Sequence, residues 1–372
     1  MVPFSLYLHV PFCAVKCGYC SFYSRPFGEV PASVWLNGVS CETRHLSITW
    51  GENIPLRTIY IGGGTPSALP VSIWKDLLDI LKNAFDFSSL EEFTVEANPC
   101  SLTNKHLLCW RDSRVTRVSL GIQSLNDNEL EWLGRVHNAK TALRSIEKTL
   151  SCGFDVSADL MFGLTPQTLA SWRNSLRSTI AAGLKHISIY QLTLEPGVPL
   201  AYASESLPDG YPFYRFAQWY LNRKGLPQYE IASFAPPDKE CRHNLTYWRQ
   251  GNVLAIGPSA WGYIDGQRFR NARTLEEYSA LVEKGLPIVE AERLKGQAQG
   301  IEAAILALRT RHGLGLLSFA AQFGEDLAEK ISDMLKGMPP HLLSFKNENV
   351  SLTPAGMRVG NAIWSELLLL DD

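Results

Sequence analysis

Six apolar stretches of strand length, separated by segments of helical period, fill the first half of the chain, and this alternation restricts the fold more than any other feature. Ser5 to Val10, Arg57 to Ile61, Glu92 to Glu96, Arg117 to Ile122, Phe154 to Met161 and His186 to Leu192 read as strands. Val34 to Leu46, Pro70 to Phe85, Thr103 to Trp110, Asn138 to Cys152 and Gln167 to Ala182 read as helices. In the second of these, Ile73, Leu77, Leu78, Leu81 and Ala84 recur at the spacing of one helix face. Strands joined through helices pair in parallel, so the chain is expected to be α/β with helices covering the sheet. Barrels and doubly wound sheets both bind ligands at the C-terminal ends of their strands. Gly62 to Thr65, Glu96, Gln123 and Asp159 all stand at such ends.

Just after the first strand come Cys13, Cys17 and Cys20, three thiols within eight residues. A 4Fe-4S cluster takes four ligands, so a triplet leaves one iron open to a small molecule. The competing reading is a structural zinc site, which closes with four ligands; Cys41 and His45 could complete it only by folding back. A disulfide scaffold is excluded, because eight cysteines in 372 residues fall far below the density of a secreted cysteine-rich domain.

A formal net charge of -2 gives no electrostatic footprint for nucleic acid. No stretch reaches the roughly 20 apolar residues of a membrane span, which leaves peripheral contact as the remaining form of membrane association. The start of the chain lacks a basic leader, and His9 and Pro11 interrupt its apolar run. A cytoplasmic location is expected, where thiols stay reduced.

Residues 1–194 form the alternating domain. In 195–289 the alternation stops and aromatic residues and prolines become dense, which reads as a mixed layer over the open side of the first domain, ending in a helix from Thr274 to Lys284. Residues 290–372 read as three helices, a hairpin around Lys346 to Asn349 and a last helix capped by Thr353, an α+β module of winged-helix type. Its 8 basic against 11 acidic residues argue against DNA binding and for a lid or docking role.

The spacing C-x3-C-x2-C, with Tyr19 before the last cysteine, resembles the radical S-adenosylmethionine (SAM) superfamily. Val95-Glu96-Ala-Asn-Pro99, Gly121-Ile-Gln123, Arg135 and Asp159-Leu-Met-Phe-Gly163 resemble, in order and spacing, its coproporphyrinogen oxidase-like branch. The resemblance covers nearly the whole chain and implies a partial (β/α)6 barrel of TIM type. It implies a 4Fe-4S cluster on Cys13, Cys17 and Cys20, and SAM contacts from Tyr7, Tyr19, Gly63, Gly64, Thr65, Glu96, Gln123, Arg135 and Asp159. The glycines would let the backbone approach the amino acid end of SAM.

Within that branch, His243-Asn-Leu-Thr-Tyr247-Trp248 resembles the H-N-x-x-Y-W motif of the heme chaperones. The resemblance implies heme bound with His243 as axial ligand, Tyr247 as the alternative and Trp248 as a packing surface. It also implies a heme-acceptor protein and an electron donor protein as partners. The runner-up is an oxygen-independent coproporphyrinogen III oxidase. Those oxidases carry a fourth cysteine where this chain has Phe22, and a longer segment before the cluster. A metal-stabilised interaction protein without enzymatic activity is the third reading.

Overall fold

The computed structural model describes residues 3–371. Its main sheet contains six parallel strands: β1 (Phe4–Val10), β2 (Ile54–Gly63), β3 (Glu92–Ala97), β4 (Arg117–Gln123), β5 (Asp155–Phe162) and β6 (His186–Gln191). Their order across the sheet is their order in the chain. A doubly wound sheet would reverse that order at a switch point. The uninterrupted order is that of a partial (β/α)6 barrel, and the sheet stays open, with Ser233–Phe234 at one end and Ile288–Arg293 at the other.

The helices are α1 (Ala32–Trp50), α2 (Val71–Ala84), α3 (Asn104–Arg111), α4 (Asp127–Trp132), α5 (Ala139–Ser151) and α6 (Leu169–Ala181). Thr103 and Thr168 close capping boxes at the starts of α3 and α6. Successive strand residues point to opposite faces, and here the two faces differ in chemistry. Leu6, Leu8, Ile59, Ile61, Phe93, Val95, Val118, Leu120, Ala158 and Leu160 are buried in one core with the helices. The intervening residues are polar: Ser5, Tyr7, His9, Thr58, Tyr60, Thr94, Glu96, Ser119, Ser157 and Asp159. A closed TIM barrel fills its interior with branched apolar side chains. This interior is instead a hydrogen-bonded surface, crossed by Tyr60 Oη donating to Glu96 Oε1 (2.7 Å) and Ser119 Oγ donating to Asp159 Oδ2 (3.1 Å).

Residues 195–289, expected as one layer, contribute to both edges of the sheet. Helix α7 (Tyr211–Arg223) packs on α6, and Ser233–Phe234 runs antiparallel to β6. Helix α8 (Arg242–Trp248) then lies against β2, and Val253–Ile256 pairs in parallel with β1. Trp261–Ile264, Gln267–Asn271 and Ile288–Arg293 continue the sheet antiparallel, with α9 (Leu275–Val282) before the last of them. Ile288–Arg293 crosses the boundary expected at 289/290, so the sheet runs through it.

The C-terminal module has its own core, built by α10 (Gly296–Leu308), α11 (Leu316–Phe323), α12 (Glu325–Lys336) and a hairpin of Leu343–Lys346 with Asn349–Leu352. Leu314–Gly315 adds a third strand to it, which completes the winged-helix arrangement. The expected last helix is broken into α13 (Pro354–Arg358) and α14 (Gly360–Leu368). The module docks through Arg309, whose guanidinium lies 4.5 Å from the ring of Trp248 and 4.4 Å from that of Trp364. Arg358 Nη1 also donates to Gln218 Oε1 on α7 (2.8 Å).

Candidate functional site

The cysteine loop leaves the C-terminal end of β1 and is fixed at its base. Phe12 is buried edge-on to Trp35 (6.2 Å between centroids), and Trp35 Nε1 donates to the carbonyl of His9 (3.1 Å). The loop's return is tied by Arg25 N–H donating to the Pro11 carbonyl and Phe27 N–H to that of Cys13, both at 2.8 Å. His9 Nε2 lies 3.0 Å from the Tyr23 carbonyl, so an inward-facing barrel residue also braces the loop.

All three thiols are partly buried. Cys13 Sγ lies 3.3 Å from Thr65 Oγ1, and Arg135 Nη1 donates to Cys17 Sγ (3.3 Å). Burial pushes the Cys20 thiol up. Among the described residues no three His, Cys, Asp or Glu side chains converge as a single metal ion would require.

The expected SAM residues line the rim beside this loop. Glu96 accepts from Tyr60 Oη and, through Oε2, from the Gly63 N–H (3.2 Å). Burial raises its carboxyl to about 7 and that of Asp159 to about 6. Arg135 Nη2 donates to the Gly121 carbonyl (2.6 Å), while its Nε is buried without a partner. Gln123 follows an irregularity in the pairing of β4 with β5 and holds φ at 65°, a conformation that costs a non-glycine residue about 1 kcal/mol or more. Tyr19 packs with Leu133, Met161, Leu164 and Leu192 over the ends of β5 and β6. Tyr7 Oη lies 3.1 Å from His9 Nδ1 on the barrel's inner face.

The glycine run, expected to let the backbone approach SAM, also lies tightly against protein groups. A Cβ on Gly62 would lie 2.9 Å from the Glu96 carboxylate, on Gly63 2.6 Å from the His9 ring, and on Gly64 2.6 Å from the Phe12 carbonyl. The glycines therefore let three strands and the cysteine loop close on one another. The ring of Trp248, expected as a packing surface for heme, has the Arg309 guanidinium 4.5 Å from its centroid.

His243 is 1% exposed on α8, stacked on Tyr60 (5.1 Å) with Tyr247 edge-on to it (5.4 Å). Its position rests on Glu92, whose carboxylate accepts from the N–H groups of Arg242 (3.0 Å) and His243 (2.9 Å). Thr58 Oγ1 donates to Ser5 Oγ (2.8 Å), so it accepts at 2.9 Å from His243 Nδ1–H. That tautomer leaves Nε2 as a bare lone pair, and Nε2 is buried with no partner. Burial lowers the imidazole to about 4 for His9 and to about 3 for His243.

Sequence reasoning passed over Tyr60, His9, Thr58 and Glu92. Their signal was present: polar residues at every second position of strands that, buried on both faces, would ordinarily read as continuous apolar runs.

A model of the radical SAM superfamily matches residues 7–178, and one of the HemN C-terminal domain matches residues 294–359. The protein of Bacillus subtilis (strain 168) named Heme chaperone HemW is 34% identical over 98% of this chain and 99% of its own length. The chain belongs to the HemW family. HemW of Mycobacterium tuberculosis (strain H37Rv) is 32% identical over 98% of this chain and 95% of its own length. HemW of Escherichia coli (strain K12) is 34% identical over 73% of this chain and 74% of its own. The solved structure of coproporphyrinogen III oxidase (HemN) from Escherichia coli, described as a radical SAM enzyme, superposes with a TM-score of 0.86. That likeness covers 98% of this chain and 90% of the oxidase at 20% identity, and it shows a shared fold. Among the described residues of this HemW family member, no helix is long and apolar enough to cross a membrane.

Proposed function

We propose that this chain is a heme chaperone that binds a 4Fe-4S cluster, SAM and heme, and passes heme to an acceptor protein. The observation that carries the heme assignment is the His243 ring, with Nδ1 2.9 Å from Thr58 Oγ1 and Nε2 buried without a partner. A metal-ligating histidine ordinarily donates its other ring N–H to a fixed acceptor, which orients the lone pair. The Nδ1 to Thr58 contact does this, and Nε2 has no other use in the protein. Tyr247, on the wall of the neighbouring cleft, is the second donor that α8 can offer.

Cys13, Cys17 and Cys20 would hold the cluster, with Arg135 balancing the thiolate charge. Tyr7, Tyr19, Gly63, Gly64, Thr65, Glu96, Gln123, Arg135 and Asp159 would orient SAM. When bound, the cluster and SAM together supply one-electron cleavage of a sulfonium bond. Glu96 is suited to pair with a cationic amino group, since a partner cation would offset the burial that raises its carboxyl to about 7. The buried, unpartnered Arg135 Nε leaves one donor free toward a carboxylate. An electron donor protein and a cytoplasmic setting belong to the same reading.

Titrating heme into the wild type and His243→Ala tests the assignment. The variant is expected to lose about tenfold or more in affinity and to shift the Soret band, with folding checked by circular dichroism. An identical spectrum and affinity would remove His243 as ligand, and the same comparison with Tyr247→Phe would then decide for or against Tyr247.

A further inference from the structure

Next to the cysteine loop lies a cleft of ≈ 570 Å³, within the range of about 300–1,000 Å³ usual for sites that bury a cofactor-sized ligand. Its surface is divided chemically. Tyr7, His9 and Tyr247 come from the barrel and α8, Phe22 and Tyr23 from the cysteine loop, and Trp261 from the antiparallel extension. Phe22 is 68% exposed and Trp261 45%, so two large apolar faces stand uncovered across the opening. The charged residues lining the cleft are Arg270, Arg273 and Glu290.

Those three charges do not cancel. Arg270 Nε and Nη2 both donate to Glu290 Oε2, at 3.0 and 2.7 Å, and the guanidinium lies 5.6 Å from the ring of Trp261. Arg270 and Glu290 therefore account for each other and fix the tryptophan. Arg273 makes no ion pair among the described residues, yet its backbone is held: its carbonyl accepts from Ser259 Oγ (2.9 Å). Two residues before it, Asn271 is buried and donates to Glu42 Oε1 (2.6 Å) and to the Gly257 carbonyl (3.1 Å). The result is an exposed guanidinium on a firmly held backbone, with an unused fork, in the lining of an aromatic cleft.

Such a site favours a flat apolar body with carboxylates on one edge. A guanidinium fork matches a carboxylate in geometry and charge, whereas a cationic edge would be repelled and a neutral edge would gain only the weaker, singly charged hydrogen bonds. We propose that Arg273 binds a propionate carboxylate of heme while the macrocycle lies against Phe22, Tyr247 and Trp261. This rests on the heme-chaperone reading and adds to it a residue that selects porphyrins with free carboxylates.

The test compares heme with its dimethyl ester, in which both propionates are neutral, on cluster-reconstituted wild type, Arg273→Ala and Arg273→Lys. Binding is read from the Soret band. The wild type is expected to bind heme about tenfold or more tightly than the ester. Arg273→Ala should lose that preference while binding the ester as before, and Arg273→Lys should recover part of it. The Soret position should not move, because the axial donor is untouched. Equal binding of heme and ester by the wild type, or a preference that survives in Arg273→Ala, overturns the carboxylate role and leaves the chaperone reading standing. Failure of both porphyrins to bind the wild type overturns the chaperone reading and this inference together.

Discussion

Replacing Cys13, Cys17 and Cys20 together by alanine is expected to leave the protein with background iron and sulfide after anaerobic reconstitution. The five other thiols are committed elsewhere. Cys241 is buried and its Sγ donates to Glu92 Oε1 (3.5 Å), Cys41 and Cys109 lie within α1 and α3, Cys152 ends α5, and Cys100 is exposed on the loop after β3. Single alanine changes at those five positions should therefore keep the full iron content. The three loop thiols share one short, braced segment, so losing all of them removes every ligand that segment offers. Iron unchanged in the triple variant, or zinc taken up in preference to iron by the wild type, would end the cluster assignment.

The largest expected effect on stability is that of Glu92→Ala. Helix α8 is seven residues long and its N-terminal residue Cys241 provides no side-chain cap. The missing cap is supplied from β3, where Glu92, 6% exposed, accepts from two backbone N–H groups and one thiol at the helix start. Hydrogen bonds to a charged group contribute roughly 1.5–3 kcal/mol each, and removing one partner of a buried charged network costs about 3–5 kcal/mol. Arg117, buried beside Glu92, would also lose an opposing charge. Urea unfolding should show a loss of about 3–5 kcal/mol, with faster hydrogen exchange across residues 242–248. Glu92→Gln, which keeps one acceptor, should lose less. A change below about 1 kcal/mol in Glu92→Ala would mean that the carboxylate does not hold the helix.

The parallel strands were legible because each carries an unbroken set of outward apolar residues, and the helices because their apolar faces repeat over two turns or more. Helix α4 was not, since six residues span less than two turns; Asn126, whose Oδ1 accepts from the N–H groups of Asn128 and Glu129, was its one local sign. The two edges of the sheet were also hidden. Val253–Ile256 finds β1 across about two thirds of the chain, and four buried residues carry no mark of their partner. At the candidate site, the local packing was less legible than the residues themselves. Gly62, Gly63 and Gly64 owe their identity to Glu96, His9 and Phe12, which no spacing rule connects to them. The contact of Arg309 with Trp248 was equally hidden, because the two residues lie in different modules.

The central claim is that this radical SAM fold handles heme as cargo. One anaerobic preparation of the reconstituted wild type, divided between heme titration and a coproporphyrinogen III decarboxylation assay with SAM and a reductant, tests it most directly. The account predicts a saturable Soret change at about one heme per chain and no release of carbon dioxide above the level of the cysteine triple variant. Efficient decarboxylation without specific heme binding would contradict it and make the chain an oxidase.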